Sequence, residues 1–351
     1  MAMTSCKPDS SREGLRWLAL AKSGLLAGLL AFTGAVQADE EREWPRGHYP
    51  LPEEGNVIGE VYTVTVDDHE DTLIDIARRH NVGYEEIVRA NPDVSIWIPG
   101  EGTEVTIPGK FILPDAERTG VVINVAELRL YYFPEARNGE TPRVESYPIG
   151  IGREGYDTPL GITKTTMRLE DPAWYPPRSM REEAAARGEP APAVVPPGPD
   201  NPLGRHAVLL DIPGYLIHGT NDPDGIGMRA SRGCIRMFPE DIESVFHTVP
   251  VGTQVNIIDQ PIKVGWRDGQ ALVQVFEPLE SQEHGMSALI DTISRLNAGN
   301  ANGAAFDFEQ LRGLLEEPSG QVVALQAPPE PEPDEAPALN GLFEELALSD
   351  D

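Results

Sequence analysis

The sequence predicts a mainly β protein, a β-sandwich or barrel preceded by a small βααβ unit. Three observations carry this. Short β-prone runs separated by Gly and Pro turns recur between residues 119 and 260. Residues 61–108 read β, α, α, β. The chain of 351 residues is 40% hydrophobic, enough for two cores.

The small unit opens with β-prone Val61-Tyr62-Thr63-Val64. Leu73, Ile76 and Ala77 then recur at helical spacing, and Ile87, Val88 and Ala90 predict a second helix ending at Asn91-Pro92. Val105-Thr106-Ile107 closes it with a strand. In the larger unit, residues 121–125 and 128–133 predict a hairpin around Ala126-Glu127. Further strands are expected at 143–149, 161–167, 206–210, 215–218 and 254–258, and a helix at 240–248 after Pro239. Residues 171–204 break this rhythm. They are proline-rich with one charged helical run at 180–187, and a long irregular excursion inside a β domain predicts a cap or lid beside a functional site.

The flanks differ in character. Residues 39–60 are polar and rich in Pro and Gly, which predicts a linker. Residues 261–312 read as a C-terminal extension, with a hairpin over 266–276 and a helix whose one face carries Met286, Leu289, Ile290, Ile293 and Leu296. From Gly313 onward there is no Lys or Arg, so residues 313–351 are expected to be an acidic, Pro-rich disordered tail, ending in a short docking helix at 342–346.

Charge and leader bound the function. Lys and Arg number 28 against 57 Asp and Glu, a net charge of −29, and no dense basic block exists, which excludes nucleic acid as a partner. Lys7, Arg12 and Arg16 precede a largely apolar stretch over 18–36. Val36-Gln37-Ala38 then places small residues before Asp39, which predicts a signal peptide (1–38) cleaved after Ala38 and export. No later segment approaches the roughly 18 apolar residues of a spanning helix, so the mature chain is expected to lack one. Of the two cysteines, Cys6 leaves with the leader, and Cys234 remains without a disulfide partner.

The chemistry concentrates in Ile217-His218-Gly219-Thr220 and Ser231-Arg232-Gly233-Cys234-Ile235-Arg236. A thiol is a weak nucleophile until a base takes its proton, and an imidazole on a neighbouring segment supplies that base. Attack on a carbonyl creates an oxyanion, for which the backbone N–H groups of the Ser231-Arg232-Gly233-Cys234 turn are candidates. Arg236 is a candidate partner for a substrate carboxylate. A buried structural thiol beside a core histidine fits the spacing as well. A zinc site needs three or four ligands, and no second Cys or nearby His is at hand. Spacing alone leaves catalysis and structure both open.

Those two segments resemble the signature of the YkuD-type L,D-transpeptidases, in which a His opens the motif and a Ser-X-Gly-Cys turn carries the nucleophile. Thr158-Pro159-Leu160-Gly161 and Gly198-Pro199-Asp200-Asn201-Pro202-Leu203-Gly204 are similar to further segments of that family. Asp71-Thr72-Leu73, Ile76-Ala77, Ile87 and Ala90-Asn91-Pro92 resemble a LysM module, which binds peptidoglycan glycan strands, with Glu70 where that module usually has Gly.

The resemblance implies a periplasmic transferase of cell-wall biogenesis and cell shape. Cys234 is then the nucleophile on the L-centre–D-Ala bond of tetrapeptide stems, and His218 the proton acceptor and donor. Ser231, Arg232 and Gly233 support the turn and oxyanion, and Gly219, Thr220 and Arg236 contact substrate. The acyl group passes to a stem amine or an outer-membrane lipoprotein Lys, with no metal or organic cofactor. Attack by water makes it an L,D-carboxypeptidase. A non-catalytic peptidoglycan-binding protein and a cysteine hydrolase of other substrates are the alternatives. Arg232 stands where many members have His. Gly219 stands where some have a Ser that orients the catalytic His, which passes that task to a backbone carbonyl.

Overall fold

The computed structural model describes residues 44–137, 139–153, 155–279, 286–299 and 307–325; the expected leader lies outside them. The strands are β1 (His48–Pro50), β2 (Val57–Ile58), β3 (Tyr62–Thr65), β4 (Glu104–Ile107), β5 (Phe111–Ile112), β6 (Gly120–Asn124), β7 (Arg129–Phe133), β8 (Arg143–Gly152), β9 (Gly161–Glu170), β10 (His206–Leu210), β11 (Leu216–His218), β12 (Arg229–Ser231), β13 (Ile235–Met237), β14 (Gln254–Ile258), β15 (Ile262–Arg267), β16 (Gln270–Val275) and β17 (Val322–Ala324). The helices are α1 (Leu73–Arg79), α2 (Tyr84–Ala90), α3 (Arg178–Ala186), α4 (Pro239–Thr248), α5 (Met286–Gly299) and α6 (Phe308–Glu316).

Eight strands close a barrel in the order β8-β13-β11-β10-β9-β14-β6-β7, with β7 pairing back onto β8. Val121, Ile123, Leu130, Tyr132, Ile149, Ile217, Ile235, Val255 and Ile257 fill its interior, with Ile242 and Val245 of α4. The alternate residues of β6, β7 and β8, among them Val122, Tyr131, Phe133 and Val144, face outward and are equally buried. They pack on Leu73, Ile76, Ile87, Val105 and Ile107 of the small α/β unit. A strand covered on both faces reads as an unbroken apolar run, which is why 121–125 and 128–133 lack polar alternation.

The α/β unit has the expected order: β3 and β4 pair antiparallel, with α1 and α2 between them. Thr72 caps α1 by accepting from the Asp75 N–H, while the Asp75 carboxylate accepts from the Thr72 N–H. Arg129, fully buried where unit and barrel meet, donates to both Glu86 oxygens at 2.8 Å and lies 3.9 Å from the Phe111 ring centroid.

Two boundaries differ from the sequence expectation. Within the expected linker, β1 joins the edge of β8 and β2 pairs with β5, burying Val57 and Ile58. Runs of two or three residues are too short to show a period. Residues 313–325, expected as the start of a disordered tail, are instead ordered. Leu311 and Leu315, one turn apart on α6, are buried beside Leu325, and β17 pairs with β16. The absence of basic residues had masked this apolar spacing. The 266–276 hairpin forms as β15 and β16, turning on Asp268 and Gly269, both at positive φ. Residues 326–351, including the expected docking helix, lie outside the described residues.

Candidate active site

β11 and β13 are parallel neighbours, with Ile217 opposite Ile235 and His218 opposite Arg236. Side chains alternate along a strand, and the two isoleucines point into the barrel core. His218, Arg236 and Cys234, the last one residue before β13, therefore share the outer face. The register extends this into two rows across the sheet. One runs Arg236, His218, Ala207, Leu169. The other runs Leu216, Leu209, Met167, with Cys234 at its head. Cys234 and His218 are one strand over and two residues along, about 8 Å between Cα atoms from standard strand spacings.

The imidazole is fixed by the backbone. His218 is 4% exposed, and its Nδ1 is 2.6 Å from the Gly219 carbonyl. That carbonyl only accepts, so Nδ1 carries the proton and Nε2 is left as an acceptor. The Gly219 carbonyl thus holds the orientation of the His218 ring. Burial lowers the His218 pKa to about 4, with the Arg236 charge adding to the shift and the Gly219 carbonyl opposing it. Burial raises the Cys234 thiol above its ordinary range, opposed by a backbone hydrogen bond at Leu216 and by the Arg236 charge. Both shifts favour the uncharged forms, thiol and imidazole, over a thiolate–imidazolium pair. The thiol lies 3.6 Å from the Gly214 carbonyl, over the β10–β11 turn.

The turn before the thiol is braced from inside. Ser231 is buried; its hydroxyl donates to the Cys234 carbonyl at 2.6 Å and accepts from the Gly233 N–H at 3.1 Å. Gly233 N–H is thus a member of the turn and not a free oxyanion donor, unlike its sequence-level assignment. Gly233 has φ +101°, and a Cβ there would meet the Tyr215 ring at 2.9 Å. Thr158, from the Thr-Pro-Leu-Gly segment, donates to the Gly233 carbonyl at 2.9 Å. The sequence placed Thr158 in a motif without revealing that contact.

Three other assignments resolve differently from one another. Thr220 is buried and closes its own turn, accepting from the Asp222 N–H at 2.9 Å, so its hydroxyl points away from a substrate role. Arg232 turns to the cap, where its guanidinium binds both oxygens of Glu183 and donates to the Tyr156 hydroxyl at 3.0 Å. That makes it a tether and not an oxyanion support. Arg236 stays on the site face, and its buried Nε has no hydrogen-bond partner among the described residues. Tyr156 and Glu183 were invisible to motif reading, because their partner is set by the fold of the cap.

The L,D-transpeptidase catalytic domain family, YkuD, matches residues 118–257. The chain is 41% identical over 287 residues to the probable L,D-transpeptidase ErfK/SrfK of Escherichia coli strain K12, covering 80% of this chain and 91% of that protein. It is 42% identical over 282 residues to the probable L,D-transpeptidase YcfS of the same strain, covering 78% and 87%. With ErfK/SrfK of Salmonella typhimurium strain LT2 it shares 43% over 235 residues, covering 66% and 74%. The chain belongs to the L,D-transpeptidase family. It carries the catalytic domain of these cysteine-dependent acyltransferases, which act on peptidoglycan stem peptides.

Proposed function

We propose that Cys234 and His218 are the nucleophile and proton carrier of this transpeptidase, and that Arg236 binds a carboxylate of the donor stem. The observation that carries this is the single sheet face shared by the thiol, a backbone-oriented imidazole and a cation whose Nε has no partner among the described residues. An unpartnered buried guanidinium nitrogen beside a thiol suits a substrate rich in carboxylates.

The donor is a tetrapeptide stem with an L-centred diamino acid followed by D-Ala. Cys234 Sγ attacks the carbonyl carbon of that bond as its proton passes to His218 Nε2. The Cys234 N–H faces the developing oxyanion. Collapse breaks the C–N bond, and His218 returns the proton to the departing D-Ala amine. An acceptor amine then attacks the thioester, its proton goes to His218, the C–S bond breaks and the thiol is reprotonated. A second stem or a lipoprotein Lys supplies the amine.

The same reading places the mature chain in the periplasm after cleavage following Ala38. No helix among the described residues is long and apolar enough to cross a membrane. It also assigns glycan binding to the LysM-like unit. The βααβ order supports this, and so do Trp97 and Ile98, 62% and 73% exposed on the loop between α2 and β4. The test is mass spectrometry of muropeptides incubated with wild type and Cys234→Ala. Wild type yields 3→3 cross-linked stems and a Cys234 adduct; identical products from both proteins reject the assignment.

A further inference from the structure

The cap is tied at both ends. Its root leaves β9 at Glu170 and rejoins β10 at His206, beside Ala207, which pairs with His218. There Trp174 and Val195 exchange backbone hydrogen bonds at 2.9 and 2.8 Å. Buried Asn201 donates to the Pro172 and Pro196 carbonyls and accepts from the Leu203 N–H. The other end is α3. Its Glu183 takes the Arg232 guanidinium, and Tyr156 donates to Glu183 at 3.2 Å while its ring lies 4.7 Å from the same guanidinium. Arg232 lies two residues before Cys234, at the opposite end of the strands from the root. The cap is thus a strap running from the His218 end of the site face to the Cys234 end. Its far end is fastened by an ion pair whose side chains are 21% and 38% exposed.

We propose that the Arg232–Glu183 clasp, braced by Tyr156, decides whether the acyl group on Cys234 goes to an amine or to water. Both are positioning residues that act through the strap, and the proposal rests on the thioester assigned to Cys234 above. Either nucleophile adds to the acyl carbon and breaks the C–S bond. An amine forms a C–N bond and passes its proton to His218, whereas water forms a C–O bond and leaves a free carboxylate. A closed strap keeps bulk water from the thioester. An amine borne on an aliphatic side chain still has an approach along the second row, where Leu216, Leu209 and the 52% exposed Met167 lead to the thiol. Water gains nothing from that apolar row.

The experiment uses the mature full chain, a tetrapeptide stem as donor and lysine amide as the amine. It follows the acyl-enzyme by intact mass and the two products by chromatography. Glu183→Gln should form acyl-enzyme at the wild-type rate and raise the hydrolysis-to-transfer ratio about two- to fivefold, the range of a half-exposed ion pair. High salt should raise the ratio in wild type and leave the variant unmoved. The double exchange Glu183→Arg with Arg232→Glu should bring the ratio back toward wild type. An unchanged ratio in Glu183→Gln, or an exchange that stays as high as the single variant, overturns the clasp. A wild-type enzyme that forms no adduct overturns the function on which it rests, a separate result.

Discussion

Tyr84 donates its backbone N–H to the Ile226 carbonyl at 2.9 Å, and Glu85 donates to Gly227 at 3.3 Å. The first turn of α2 therefore sits on the loop between β11 and β12, the chain that runs from His218 to Ser231. Arg78 binds both oxygens of Glu240, and Arg46 binds Asp241, tying α1 and the N-terminal arm to the start of α4. With the outward-facing Val122, Tyr131 and Phe133 of the barrel strands packed into its core, the α/β unit buttresses the site and is no tethered accessory.

Gly227→Ala should break this buttress. Gly227 has φ +86°, and a Cβ there would lie 2.3 Å from the Tyr84 nitrogen, a backbone atom that cannot swing aside. The expected cost is about 1–3 kcal/mol, read as a lower urea midpoint, together with faster alkylation of Cys234. An unchanged midpoint would show that the loop stands without α2.

The neutral resting pair gives Cys234 a distinctive reactivity. Burial raises the thiol pKa, so iodoacetamide labelling in the absence of substrate should keep accelerating through and beyond the ordinary thiol range. A thiolate paired with imidazolium would instead label at a plateau rate across neutral pH. Such a plateau would reject proton transfer during attack.

His218 sets the acid side. Its folded pKa of about 4 lies below the unfolded value of 6.5, so the unfolded chain binds more protons between those limits. Stability from this group is complete above pH 6.5 and is lost as pH falls through 4, in all on the order of 3 kcal/mol. Burial pushes Asp241 up to about 6, which opposes this over much of the same range. The difference between wild type and His218→Gln isolates the histidine and should grow with pH from 4 to 6.5. Acylation by the tetrapeptide should fall about 10²–10⁴-fold in His218→Gln. In wild type its acid limb should lie near pH 4; a limb near 6.5 would contradict the buried, uncharged imidazole.

How far the sequence foretold this depends on the range over which each feature is encoded. The strands at 121–125, 128–133 and 206–210 and helix α4 were legible because their apolar runs or periods are local. β13, which carries Arg236, was not, since Ile235-Arg236-Met237 spans three residues and owes its strand character to pairing with β8 and β11. The candidates Cys234 and His218 stood out through motif spacing. Their shared face depends on a parallel register between segments sixteen residues apart, and the Arg232–Glu183 contact on a cap that crosses 49 positions. Such pairings are properties of topology, which no local pattern records.

Ser231 offers the most direct test of the turn itself. Its hydroxyl makes two internal hydrogen bonds, accepting from the Gly233 N–H and donating to the Cys234 carbonyl, in a buried position. Ser231→Ala leaves both groups without that partner, at an expected cost of about 1–3 kcal/mol. Because Gly233 already holds φ +101°, releasing its N–H should let the peptide rotate and displace the thiol. Acylation should then fall by more than tenfold, while the fold, judged by far-UV circular dichroism, remains. Ser231→Thr keeps the hydroxyl and should restore most of the rate. Equal losses in the Ala and Thr variants would mean that packing at position 231, and not its hydrogen bonds, holds the turn.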